Sequence, residues 1–356
     1  MARNRTPYTA VGQRSGLPCV DDDPLDRFAH GRHRQSGRRP ALRRVGSAGT
    51  AVTANVAKAS SLPNSSQSPW QQARQRFFAG RQGPIGLAIL GFIIVFCVAG
   101  RLFLPYDFYT LPQPDVLSYM GRGPSLAHPF GETARTQRDV LTLVVNGGVG
   151  SLTIGFVSAI GSLSIGTLLG LIAGYFMGRV DGFIMRLTDV FLAIPSLFVI
   201  IVAARILAEI GGGGMTTLII VFVVFGWMGT ARLVRGQVIA IRNFEYVEAA
   251  QALGVHPLRI AFRHVLPNAI GPVVVSAPFA VGGAIIGEAF ISYLGYGVSP
   301  INPTWGNMLS DSQPFLLQGN WWWIFFPALF IVMTSLSINM IGDALRDSLE
   351  PAGRRQ

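Results

Sequence analysis

The residues that could do bond chemistry are sparse in this 356-residue chain, and they do not assemble into a working set. His30 and His33 lie in a basic N-terminal stretch, His128 stands apart, and His256 and His264 flank a short polar segment. None is spaced from carboxylates as metal ligands are, and there is no HExxH, no GxSxG and no GxGxxG after a strand. The two cysteines, Cys19 and Cys97, exclude a disulfide framework, a CxxC redox pair and a cysteine-based zinc site. Among 29 basic residues the single lysine is Lys58, preceded by Ala57. The Gly-Lys-Ser/Thr of a nucleotide phosphate loop is therefore missing, and if ATP is used another subunit must bind it. One carboxylate is left over: Glu288, inside an otherwise charge-free apolar run. A charge at mid-membrane costs about 2.5–3.5 kcal/mol on insertion scales, so it needs a role. It either lines a cavity or hydrogen-bonds to the Gly-rich segment just after it. The second is the simpler reading, because one lone carboxylate makes no proton relay.

What surrounds that carboxylate is membrane-like. Half the residues are apolar and 13% are charged, where a soluble surface would carry about a quarter. Six stretches approach the ~20 residues that span a ~30 Å hydrocarbon core. They are Ile85–Leu104, a span within Gly148–Phe176, then about Phe183–Leu207, Thr216–Val234, Ala269–Leu294 and Trp322–Ile341. The apolar run from Asp139 to Phe176 is too long for one perpendicular span, which predicts an interfacial or kinked lead-in. Its regularly placed glycines predict close helix packing. The fold class expected is an all-α polytopic membrane protein with six transmembrane helices.

Charge sets the orientation. Residues 1–83 carry 14 Arg or Lys against four Asp, whereas residues 84–356 carry 15 against 14. The first long apolar run begins only near Ile85, so residues 1–83 are read as a basic, disordered cytoplasmic tail and not as a secretory signal. Nucleic acid is not expected as its partner. With the N-terminus inside, ten basic residues beyond the tail fall in inner loops against five in outer ones. This places both termini in the cytoplasm. Tyr106, Phe108, Tyr109 and Trp321–Trp323 would then sit at the outer headgroup level. The chain divides into the tail, a first helix with its external loop (84–144), a five-helix core (145–343) and a short cytoplasmic tail (344–356).

The most informative segment is the inner loop 235–267 within that core. Glu245 and Glu248 sit early in a short helix, where carboxylates suit the positive end of its dipole. Gly254 is placed to end that helix, and Pro257 to begin another. Ala249, Ala250 and Ala252 give a shallow face, while Phe244, Tyr246, Val247 and Leu253 give apolar grip. Such a knob fits a groove in a partner or lies on the lipid surface; the residues alone leave both open.

At this loop the chain resembles the permease subunits of ATP-binding-cassette importers, whose hallmark is Glu-Ala-Ala, three residues, Gly and a downstream Leu-Pro. Here these are Glu248, Ala249, Ala250, Gly254, Leu266 and Pro267. HPFG at His128–Gly131, RLTDVFLAIP at Arg186–Pro195, GTARLVRGQV at Gly229–Val238, GEAFISYLGYGVSPINPTWGNML at Gly287–Leu309 and NMIGDALRDSLEP at Asn339–Pro351 narrow the resemblance to the C-type subunit of dipeptide and oligopeptide importers. After HPFG the family pattern survives only in the pair Arg138-Asp139. The resemblance implies the type I importer permease fold in the bacterial cytoplasmic membrane. It implies a non-enzymatic subunit that binds no cofactor, with ATP and Mg used by two cytoplasmic ATPase subunits or domains. A second, B-type permease and an extracytoplasmic binding protein complete the assembly. Glu248, Ala249, Ala250, Leu253 and Gly254 would be the ATPase-coupling residues. The alternatives are an importer permease for a non-peptide cargo such as a nickel chelate, an ion-coupled secondary carrier using Glu288, or a membrane-anchored interaction protein using its tail.

Overall fold

A computed structural model describes residues 69–103, 121–134, 136–207, 209–210, 214–298 and 302–349. Among them the backbone is helix and turn, with one isolated bridge between Glu132 and Asp139. A short helix, α1 (Pro69–Ala79), leads into α2 (Gln82–Phe103). Then come α3 (Val140–Phe176), α4 (Gly178–Ala193), α5 (Ser196–Leu207), α6 (Met215–Gly226) and α7 (Met228–Ile241). The loop helices are α8 (Glu245–Ala252), α9 (Pro257–Ile260) and α10 (Leu266–Ala269), followed by α11 (Gly271–Tyr293), α12 (Trp305–Ser312) and α13 (Trp321–Leu349). Five elements are long and apolar enough to cross a membrane: α2, α3, α6 with α7, α11 and α13. The α4–α5 pair makes a sixth if counted as one bent span.

Four expectations change. Residues 1–68 and the Tyr106–Tyr109 anchors lie outside the described residues, but Pro69–Ala79 is a helix, so the tail as drawn to residue 83 ends too late. The kinked lead-in is not found: α3 is one unbroken helix of 37 residues, about 55 Å long at 1.5 Å per residue. Its start is fixed by Asp139, whose carboxylate accepts from Thr142 N at 2.7 Å and from the Thr142 hydroxyl at 2.8 Å. The third span is broken by an 89° bend. Pro195 has no N–H to give and drives Ile194 to extended geometry (φ −95°, ψ 133°), so α4 must stop there. Finally, of the three tryptophans expected at the interface, Trp321 is half exposed, while Trp322 and Trp323 are buried.

α3 is the axis of the packing. One cluster joins its first half to α2, α11, α12 and α13 through Ile93, Cys97, Val144, Ile285, Trp305 and Phe330. A second joins its far end to α7 and the loop helices through Leu171, Val238, Ile241 and Val265. Glycine makes both approaches possible. A Cβ on Gly155 would lie 2.5 Å from Ile285 Cγ1, and one on Gly170 would lie 2.5 Å from the carbonyl oxygen of Ala231. The second obstacle is backbone and cannot rotate away. Gly170→Leu should therefore force α3 and α7 apart and cost about 3 kcal/mol; reduced yield and a lower Tm in detergent are the expected readings, with wild-type Tm counting against it.

Candidate functional site

The loop after α7 is built as a rigid bracket. Arg242 closes α7, its backbone N–H donating to Val238 O at 2.9 Å, and its Nη1 donates to Tyr175 O at 3.2 Å, tying the loop to the end of α3. Phe244 adopts extended backbone and opens α8 with no side-chain cap; Glu245 and Glu248 occupy the first turn. α8 ends as expected at Gly254, with φ +73°. The N–H groups of Gly254 and Val255 reach back to Gln251 O and Ala250 O at 2.9 and 3.2 Å, which is the Schellman arrangement. Pro257 then opens α9. A π-helical turn over Ala261–Val265 precedes Pro267. Widening the helix there relieves the clash a proline ring makes with the preceding turn.

The two faces of α8 differ. Val247 and Ala250, three residues apart, are buried in the cluster with Leu171, Val238, Ile260 and Val265. Glu248, Ala249, Leu253 and Gly254 are exposed, Leu253 at 84%. Phe244, Tyr246, Leu258 and Phe262 are also exposed, forming an apolar surface around the bracket. The structure thus splits the expected coupling set. Ala250 faces inward and anchors the helix, so it is not on the presented surface. Consecutive helical residues point about 100° apart, and Ala249 and Ala250 cannot share one face.

Two ion pairs brace the same region. Arg235 in α7 makes a two-pronged contact with Asp181 in α4, Nη2 to Oδ2 at 2.7 Å, and Arg232 pairs with Asp189. Arg232, Arg235 and Asp189 come from two of the sequence motifs described above, Asp181 from just before one of them, and the pairs join α4 to α7, a pairing no local pattern announces.

Glu288 is fully buried in α11. Its carboxylate accepts from Ser151 Oγ at 3.0 Å, from Ser292 Oγ at 2.7 Å and from the Thr304 hydroxyl. Ser151 Oγ in turn accepts from Trp305 N at 3.0 Å, and Trp305 Nε1 donates to Val144 O at 2.9 Å. Thr304 and Asn307 form a reciprocal capping box that starts α12. Glu288 therefore joins α3, α11 and the α12 start, and these partners lie in those elements, not in the Gly-rich turn at Gly295–Gly297 that the sequence suggested.

The sequence also hid a cluster. His128 stands between Glu132 and Asp139, its Nε2 and Nδ1 each 3.0 Å from a carboxylate oxygen, so one histidine does meet carboxylates. Among the described residues no group of three or more such side chains is arranged to hold a metal. The role of this cluster is mechanical: Asp139 caps α3, Trp322 Nε1 donates to Glu132 O at 3.0 Å, and Phe130 stacks on Phe326 at 3.9 Å. The HPFG motif is a clasp between α3 and α13. Nearby, a pocket of about 520 Å³ is lined by Arg138, Asn307, Asp311 and Trp323. Burial pushes the Asp311 carboxyl above its usual range, and the Arg138 charge pulls it partly back.

Comparison with known proteins gives a consistent picture. Residues 166–355 match the family described as binding-protein-dependent transport system inner membrane component. Residues 68–121 match the N-terminal TM domain of oligopeptide transport permease C. The oligopeptide transport system permease protein OppC of Bacillus subtilis (strain 168) is 38% identical over 304 residues, 85% of this chain and 96% of that one. The dipeptide transport system permease protein DppC of the same organism is 38% identical over 298 residues, covering 84% and 90%. The glutathione transport system permease protein GsiD of Pectobacterium atrosepticum is 34% identical over 287 residues, covering 80% and 92%. A solved structure of the MetNI methionine ABC transporter aligns with 59% of this chain and 97% of its own at 19% identity and a TM-score of 0.48. With family matches over both parts of the described region and relatives this similar along nearly their whole length, the chain belongs to the binding-protein-dependent transport system inner membrane components, as a multi-pass permease subunit of an ABC importer.

Proposed function

We propose that this chain forms half of the membrane pathway of an ATP-driven importer of short peptides and receives its drive through α8. The observation that carries this reading is the bracket geometry: α8 is anchored by Val247 and Ala250 to the ends of α3 and α7, yet presents Ala249, Leu253 and flanking aromatics outward. A push on that surface moves the helices it is anchored to, because packed cores shift between discrete arrangements and do not deform smoothly. In this reading a cytoplasmic ATPase seats the knob, and nucleotide binding biases the bundle between outward- and inward-open states. A second, B-type permease supplies the other half of the pathway. A binding protein delivers cargo from outside the cytoplasmic membrane, and both termini lie inside. The chain holds no cofactor; ATP and Mg belong to the ATPases. Short peptides are the cargo class shared by the printed names of the relatives. The commitment of Glu288 to three hydroxyls of its own fold supports an ATP-driven over an ion-coupled mechanism.

The test is purification of the tagged protein in mild detergent, followed by reconstitution. A second permease and ATPases should travel with it, and the liposomes should hydrolyse ATP and accumulate peptide. A chain that purifies alone and moves solute on an ion gradient without ATP would overturn the proposal.

A further inference from the structure

The break between α4 and α5 opens onto a pocket of about 270 Å³ walled by α3, α5, α6 and α11. Its depth is telling. Ser158 lies at the midpoint of α3 and Gly283 next to the midpoint of α11, so the pocket sits near the middle of the spans. Two independent features there point to an oxygen ligand. First, Ser196 and Leu197, the opening residues of the 12-residue α5, line the pocket. In α5 the N–H groups of Phe198 and Val199 donate to Pro195 O at 3.1 and 3.5 Å, which leaves those of Ser196 and Leu197 as the helix's first donors with no acceptor within it, at a start that carries partial positive charge. Second, Ser158 lines the same pocket and is 1% exposed, and its Oγ has no hydrogen-bond partner among the described residues. Other buried hydroxyls in these helices bond back to a carbonyl one turn earlier, as Thr188 does to Ile184 O at 2.9 Å and Thr334 to Phe330 O at 2.7 Å. Ser158 does not, which leaves a buried hydroxyl beside the pocket free to donate to an oxygen that comes within reach.

A helix broken at mid-membrane, with its positive end turned into a cavity, suits an anionic group of a transported solute. We infer that this pocket is a carboxylate subsite on the translocation path, in which the start of α5 and the Ser158 hydroxyl hold a carboxylate oxygen of the cargo as it passes. The inference rests on the importer reading and adds the residues that meet the cargo. The volume suits one peptide residue, so the subsite grips an end or a side chain and not a whole peptide.

The test uses the full complex in liposomes with ATP inside and three probes: trialanine, its C-terminal amide, and the amide of Ala-Glu-Ala. Wild type should take up trialanine at least threefold faster than its amide if the terminal carboxylate is held; if a side-chain carboxylate serves, Ala-Glu-Ala amide regains the advantage. Ser158→Ala should bring the acid-to-amide ratio close to one. Because the ratio is internal, a merely unstable variant would lower both rates together and leave it unchanged. Gly283→Leu is a plug: a Cβ there meets nothing within 4 Å, so the side chain enters the pocket without a backbone clash. It should reduce peptide accumulated per ATP hydrolysed about tenfold. Unchanged ratios in Ser158→Ala together with wild-type accumulation in Gly283→Leu would overturn the subsite while leaving the importer reading intact. A wild-type complex that moves none of the three probes overturns the peptide reading and the subsite with it.

Discussion

Ala249→Arg is expected to abolish ATP-driven uptake, by a hundredfold or more, in a protein that still folds and pairs with its partner permease. Ala249 is exposed on the outward face of α8, one turn before Leu253. A guanidinium there leaves the chain's own core untouched but fills the shallow surface a partner would cover. Disrupting a central interface contact costs about 3–4 kcal/mol, and at about 1.4 kcal/mol per tenfold that is a hundredfold or more. Leu253→Asp should act in the same way, since a side chain this exposed contributes nothing to the fold. Ala250→Arg makes the instructive contrast. Ala250 is buried beside Val247, Ile260 and Val265, and a charge driven into that cluster should prevent accumulation of the protein altogether. Size-exclusion profiles, ATPase co-purification and uptake separate the two failures. Full uptake by Ala249→Arg would remove α8 from the coupling path.

Glu288 gives the second large effect. Replacing it by alanine leaves the Ser151, Ser292 and Thr304 hydroxyls without their shared acceptor and opens a cavity where α3, α11 and α12 meet. A loss of about 3 kcal/mol is expected, from unsatisfied donors and the void together. Glu288→Gln keeps the volume and one acceptor oxygen, and its cost should be nearer 1 kcal/mol. The folded fraction of the glutamine variant should transport within threefold of wild type, with no new dependence on an ion gradient. A glutamine variant with wild-type Tm and no uptake would instead put this carboxylate on the path of a coupling ion. Thermal unfolding in detergent and uptake per folded complex distinguish the two.

Which features could be read in advance follows from how far the responsible physics reaches along the chain. Hydropathy over a span is a sum over neighbours, so the membrane-crossing segments were legible from Ile85 onward. Caps are equally local: the glycine needed to end α8 and the proline that suits the start of α9 act through their own backbone geometry. Pro195 was just as visible, yet the span containing it was read as continuous, because the apolar sum ran on through the break while the backbone did not. The α3 lead-in failed in the opposite sense. Its length alone suggested a kink, but the glycines, which do pack closely as their spacing predicts, admit α7 and α11 against a helix that stays unbroken.

By itself, then, the sequence determined an all-helical membrane protein, its apolar spans and, through its motifs, the family; it also marked the bracketed loop, although the start drawn at residue 235 falls inside α7, which runs on to Ile241. Tertiary structure alone decided which side of each helix does what. Ala249 faces out and Ala250 in because α3 and α7 lie on one side of α8. Glu288 meets Ser151 across 137 residues, Arg232 meets Asp189 across 43, and His128 is drawn between Glu132 and Asp139. The pocket behind Pro195 exists only where four helices meet. Periodicity assigns residues to faces of a helix, but the partner a face receives is set by the packing of distant segments, and that information is not local.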